Sequence, residues 1–171
     1  MEKILVSACL LGTPVRYDGR AKRVDDRLLA RWRAEGRLVP FCPEVSGGLA
    51  VPRPPAEIAG SGPSRDGASV LDGTAKVVTE SGTDVTEAFV RGAHLALEAA
   101  RRSGARLAVL KEGSPSCASR RVYDGTFSGR STPGQGVTTA LLERAGIRVF
   151  NEDELESAAA YLSELETSSK F

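Results

Sequence analysis

Three times in this chain a helix-like stretch runs into a glycine and then directly into a short strand-like run. "VDDRLLARWRAEG" (24–36) is followed by "RLVPF" (37–41), "VTEAFVRGAHLALEAARRSG" (85–104) by "RLAVLK" (106–111), and "GVTTALLERAG" (136–146) by "IRVF" (147–150). A glycine just past the last helical turn takes the left-handed conformation that ends a helix, so each junction marks a stop and a change of period. With "KILVSA" (3–8) supplying a further β-branched run at the start, the pattern predicts an α/β fold: one Rossmann-like domain whose mainly parallel sheet is flanked by helices. At 171 residues the chain fits one such domain over 1–171, closed by an acidic helix and a short frayed tail at about 151–171. Strand order does not follow from this pattern.

In sheets of this kind ligands bind beyond the carboxyl ends of the strands, where the loops converge. The three cysteines fall there: Cys9 after the first strand-like run, Cys42 after the second and Cys117 on the loop after the third. Each sits beside Ser, Pro or Gly rather than inside an apolar run, and they are expected to meet at one rim although far apart in sequence. A buried free cysteine is often no more than a small hydrophobe, so it is the constellation that carries the reading. The number is odd, and the N-terminal apolar run is too short for a secretory signal, which argues against a disulfide framework. These residues are therefore expected to be thiols or metal ligands. Three sulfurs are too few for a closed four-cysteine site and suit a centre with an open position. No CxxC occurs, and His94, in mid-helix, is a poor fourth ligand.

The loops around the cysteines carry further polar groups. "CPEVSGG" (42–48) places Glu44 two residues after a thiol as a candidate acid or base, with Ser46, Gly47 and Gly48 as candidate substrate contacts because glycine lets backbone approach a ligand. "GSPSC" (113–117) offers the hydroxyls of Ser114 and Ser116, which can also simply shape a turn. Tyr-Asp-Gly recurs in "RYDGR" (16–20) and "VYDGTFSGR" (122–130), first as loop architecture and second as substrate contact. "VPRPP" (51–55) and "SGPSRDGAS" (61–69) read as an irregular excursion covering the site. With 23 basic against 22 acidic residues there is no global electrostatic footprint for nucleic acid or an anionic membrane. Aromatic content of 5% speaks against a base-stacking single-strand binder, and no run approaches a membrane span. A cytoplasmic monomer is expected.

The ordered set "SACLLG", "RYDG", "CPEVSGGLAVPRPPAEI", "KEGSPSCAS" and "YDGTFSG" resembles the DUF523 family, which includes the thiouracil desulfidases; the likeness runs from about Lys3 to about Glu154. The resemblance implies a 4Fe-4S cluster held by Cys9, Cys42 and Cys117 with one iron open, Glu44 as acid/base and Ser114 as its catalytic partner. It further implies non-redox release of sulfide from 2-thiouracil, 4-thiouracil or a thiouridine nucleotide. Ala118 stands where a glycine is expected in relatives. Members acting on RNA resemble this chain with an added C-terminal domain, for which 171 residues leave no room, so a small thiolated base or nucleotide is expected rather than intact nucleic acid. A non-catalytic iron-sulfur or metal-binding module is the alternative.

Overall fold

The computed structural model describes residues 1–60 and 65–169. Its centre is a four-stranded, fully parallel sheet of β1 (Ile4–Ser7), β2 (Leu38–Phe41), β5 (Leu107–Leu110) and β8 (Arg148–Asn151), in the order β2-β1-β5-β8. All four strand-like runs of the sequence form this sheet. Helices α1 (Arg27–Ala34), α4 (Thr86–Ser103) and α5 (Val137–Arg144) precede β2, β5 and β8, and α6 (Leu155–Ser168) follows. Gly36, Gly104 and Gly146, with φ of 72°, 75° and 84°, adopt the left-handed turn that the sequence assigns to them. The start of α1 is set by Asp26, whose carboxylate accepts the Leu28 N–H at 2.7 Å.

Alternation along the central strands divides the core into two layers. Ile4, Val6, Leu107, Val109 and Phe150 face α1 and α6 through Leu29, Trp32, Leu155 and Leu162. Leu5, Ala108, Leu110 and Val149 face α4 and α5 through Ala96, Leu97, Ala100 and Leu142. A strand buried on both sides cannot alternate apolar with polar, which is why "ILVS" and "LAVL" read as continuous runs.

Between β2 and β5 the chain makes a long excursion holding elements that periodicity does not announce. They are α2 (Pro43–Ser46), β3 (Ala56–Gly60), α3 (Gly67–Leu71) and β4 (Ala75–Thr79), with β3 and β4 paired antiparallel. A second antiparallel pair, β6 (Arg121–Tyr123) with β7 (Ser131–Pro133), follows β5. Ile58, Val77, Phe89, Val122 and Val137 close a third core cluster beneath these ribbons. The expected irregular segment 61–69 is thus partly ordered, since Gly67 opens α3; residues 61–64 lie outside the described residues. No long amphipathic helix ending in glycine runs into these strands, so the junction that marks the central strands in the sequence is missing here.

The excursion is docked by close backbone contact. A Cβ on Gly47 would lie 2.1 Å from the Ala88 carbonyl oxygen, and one on Gly92 would lie 2.1 Å from that of Pro43. The two glycines thus let α2 press onto α4, fixing the turn that carries Cys42 and Glu44. We expect Gly92→Ala to force α2 away and cost about 1–3 kcal/mol, the range for overpacking a tight contact, measured as a lowered urea midpoint with an unchanged slope.

Candidate active site

In the order β2-β1-β5-β8 the chain winds one way from β1 to β2 and the other way from β1 side to β5, so the crevice between the ends of β1 and β5 is the topological switch point. A cavity of about 490 Å³ opens there. Cys9, Cys42, Cys117, Glu44 and Ser114 all line it, together with Arg16, Arg53, Glu57, Lys111 and Glu112. Segments far apart in sequence therefore do meet at one rim. The other four candidates are not on this wall: Ser46 and Gly48 are exposed, Gly47 is buried in the contact with α4, and Ser116 is buried with its hydroxyl 2.7 Å from Thr138 Oγ1. His94 is exposed on α4 and also off the wall.

Each cysteine is held by its backbone. Cys9 lies in a 3-10 turn, Ala8–Leu11, and its carbonyl accepts from Gly12 and Lys22 at 3.2 and 3.0 Å. Cys42 is the residue before Pro43 at the first position of α2, and its carbonyl accepts from Ser46 at 3.0 Å. Cys117 is gripped on both sides: Ser114 Oγ accepts its N–H at 2.7 Å and Thr139 Oγ1 donates to its carbonyl at 2.9 Å. The first amides of α5 donate to the carbonyls of Pro115 and Ser116, so the orphan donors of that helix are spent on the thiol loop. Ala118 is fully buried in the third core cluster, where its methyl group fills space a glycine would leave.

Burial pushes the Cys9 thiol up to about 11, with the adjacent Cys42 adding to the effect while Lys111 and Arg16 oppose it. Cys42 is also raised, chiefly by burial. Cys117 is driven furthest up, by complete burial first and then by Glu44, Cys42 and Cys9. The three sulfurs and Glu44 are thus within electrostatic reach of one another. Glu44 is only 13% exposed and its Oε2 accepts from Arg53 Nη2 at 2.5 Å and Nε at 3.0 Å. Arg53 also donates to the carbonyls of Ala50 and Val15, tying the "RYDG" and "CPE" loops together. Among the described residues no protein group is bonded to Glu44 Oε1.

Glu112, the second residue of the Lys-Glu pair that follows β5, is not singled out by the sequence pattern. Its Oε1 accepts from the amides of Gly113 and Ser119 at 3.1 and 3.0 Å, and its Oε2 from Ser119 Oγ and Asn151 Nδ2 at 3.1 and 2.8 Å. Burial raises this carboxyl, but the bonds from Gly113, Arg120, Ser119 and Asn151 outweigh it and hold the carboxyl below its ordinary value. Glu57 on β3 is likewise not singled out; it is 9% exposed and its Oε1 accepts from Gly125 and Phe127 at 2.9 and 3.2 Å. Both acids stitch loops; for Glu112 the available signal was a carboxylate beside the turn-forming "GSPSC", and Glu57 had none. Arg53, Pro54 and Pro55 of "VPRPP" line the cavity, whereas the described residues 65–69 of "SGPSRDGAS" do not. Tyr17 and Tyr123 of the repeated Tyr-Asp-Gly also line the cavity.

A parallel α/β sheet with three thiols, a carboxylate and a hydroxyl facing one switch-point cavity defines an enzyme-like thiol centre rather than a disulfide scaffold. The family model described as 2-thiouracil desulfurase matches residues 4–154, and the chain belongs to that family. Protein YbbK of Bacillus subtilis (strain 168) is 47% identical over 152 residues, covering 89% of this chain and 97% of its own length. The solved structure of the 4Fe-4S-dependent thiouracil desulfidase TudS (DUF523Vcz) is similar at 55% identity and a TM-score of 0.85, over 95% of this chain and 99% of that one.

Because a lowered carboxyl stabilises the fold above its unfolded value and loses that effect as pH falls through the folded value, Glu112 stabilises the thiol loop at neutral pH and ceases to do so in acid. Glu112→Ala should cost about 3 kcal/mol at pH 7 by leaving several donors unpaired. Urea titrations from pH 7 downward should show wild type losing its advantage over Glu112→Gln below 4.5, the ordinary value; equal pH dependence would remove Glu112 from this role.

Proposed function

We propose that this chain is an iron-sulfur-dependent, non-redox desulfidase that removes sulfur as sulfide from a thiolated pyrimidine base or nucleotide. The observation that carries the reading is the convergence of Cys9, Cys42 and Cys117 with Glu44 and Ser114 on one cavity. The donor set fits a 4Fe-4S cluster. Three thiols arrive on three separately braced loops at one cavity wall. Cysteine thiolates are the usual ligands of such a cluster, and three of them would leave one position open. When bound, it would supply an iron lacking a cysteine ligand, a Lewis acid with affinity for sulfur.

The chain's own groups then have distinct tasks. Arg53 occupies Glu44 Oε2 and fixes the carboxylate, leaving Oε1 to take a proton from water as the oxygen adds to the C=S carbon. Ser114 Oγ accepts the Cys117 amide at 2.7 Å, which orients its hydroxyl proton away from that bond and available to a ring heteroatom. The C–S bond breaks as C=O forms, so water and thiocarbonyl give carbonyl and hydrogen sulfide with no net oxidation. Apolar walls from Phe41, Leu49, Val85 and Phe89 exclude bulk water. The cavity has room for a pyrimidine and an attached ribose, with Arg16 and Lys111 as cationic wall groups. On this reading one domain, acting as a monomer in the cytoplasm, suffices.

The test is anaerobic reconstitution with iron and sulfide, followed by sulfide release from 2-thiouracil, 4-thiouracil and 4-thiouridine monophosphate. Cys117→Ala should lose the cluster absorbance and the activity together. Glu44→Gln should keep the absorbance and lose at least about 100-fold in turnover; undiminished turnover would remove Glu44 from the chemistry. A fully loaded wild-type protein inert to all three compounds would leave a non-catalytic iron-sulfur module.

A further inference from the structure

Phe127 has φ of 56°, and it stands alone among the described non-glycine residues in adopting a positive φ. A bulky side chain resists this conformation, whereas glycine takes it freely. The backbone is held there by several bonds: Glu57 Oε1 accepts the Phe127 and Gly125 amides, Asp124 Oδ1 accepts the Thr126 amide at 3.0 Å, and the Asp124 amide donates to the Arg130 carbonyl at 3.0 Å. Gly125, at φ 89°, packs so closely on β3 that an added Cβ would lie 2.8 Å from the Ile58 carbonyl oxygen. The loop between β6 and β7 is therefore built to hold residue 127 in one unusual conformation. Glycine would serve that backbone best, yet the position carries a phenyl group that is half-buried and lines the cavity, with no ring contact among the described residues.

We propose that Phe127 is a specificity-determining residue whose ring covers the flat face of the substrate pyrimidine, and that Glu57 is the positioning residue that aims it. This rests on the thiopyrimidine reading above. A planar heterocycle stacks on an aromatic face irrespective of where its sulfur is attached, so the contact selects for the ring while Glu44 and Ser114 act on the thiocarbonyl. Glu57 acts only through the loop: both of its bonds go to backbone amides and use one carboxylate oxygen. A glutamine carbonyl can accept the same two bonds.

The experiment compares cluster-loaded wild type with Phe127→Ala, Phe127→Gly, Phe127→Trp, Glu57→Gln and Glu57→Ala, matched for cluster absorbance. It reads kcat and KM for 2-thiouracil and 4-thiouracil, calorimetric binding of uracil, and the thermal unfolding midpoint. Phe127→Ala and Phe127→Gly should both raise KM and weaken uracil binding about tenfold, with kcat changed less than about threefold, and Phe127→Trp should restore both. Phe127→Gly should nevertheless unfold at a higher temperature than Phe127→Ala, because glycine relieves the positive φ. Glu57→Gln should stay near wild type, and Glu57→Ala should copy the KM of Phe127→Ala. Unchanged KM and uracil affinity in Phe127→Ala, beside an active wild type, overturn the inference while leaving the desulfidase reading intact. A loaded wild type that neither binds uracil nor releases sulfide overturns both.

Discussion

The parallel pairing of β1 with β5 is the contact on which the site depends. It aligns Val6 with Val109, and one residue further on the Ser7 hydroxyl accepts the Lys111 amide at 2.9 Å. That bond ties together the two strand ends from which the Cys9 and Cys117 loops depart. Parallel strands have no hairpin to fix their register, so it must come from packing on both faces, here from two core layers that a one-residue slip would invert. A slip would also turn Ser7 away from Lys111 and separate the two thiol loops. Cys42 joins because β2 pairs with β1 in parallel, Ser7 opposite Phe41, which places the next residue at the same rim.

The sheet fixes where the loops start, and carboxylates fix where they go. Glu112 gathers the amides of residues 113, 119 and 120 onto one side chain and links them to Asn151 at the end of β8, so the Cys117 loop is anchored across the rim rather than by local turns alone. Glu57 does the same for residues 125 and 127 from the excursion hairpin, and Glu152 holds Lys111 at 3.0 Å. Such bonds to a charged acceptor are about twice as strong as neutral ones. A rim made almost wholly of loops can therefore be as well determined as the sheet below it.

The four strands, the three helices that precede β2, β5 and β8, and the gathering of the cysteines were legible because each rests on a local signal: period, a terminal glycine, a position after a strand. The roles of Ser46, Gly47, Gly48 and Ser116 were not. "SGG" after a thiol suggests ligand approach, but Gly47 is small because α4 lies against it, and Ser116 is polar because Thr138 meets it in the interior. Both facts belong to partners 22 or more residues away, which no local pattern encodes. Arg53 escaped because its importance lies in its partner Glu44 on α2, and an arginine among prolines looks like surface. The excursion strands escaped because no long periodic helix runs through a glycine into them, although β3 and β4, at five residues, are longer than the four-residue central strands.

Charge accounting shows why the cationic wall groups belong to the centre. Thiols ligate as thiolates, yet burial pushes Cys9 up to about 11 and raises Cys42 and Cys117, so the buried wall favours the protonated thiols. Each thiolate would also repel the others and Glu44. Arg16 and Lys111 ease this for Cys9, and Arg53 does so for Cys42 while neutralising Glu44. They offset the repulsion only in part, and on the proposed reading the remainder comes from the positive charge of the group the thiols hold, with protons leaving as it enters. The cavity is thus arranged to be uncomfortable for free thiolates and comfortable for ligated ones. The same arrangement keeps Glu44 anchored through one oxygen while the other stays clear, so the group that balances this carboxylate electrostatically is also the group that aims it.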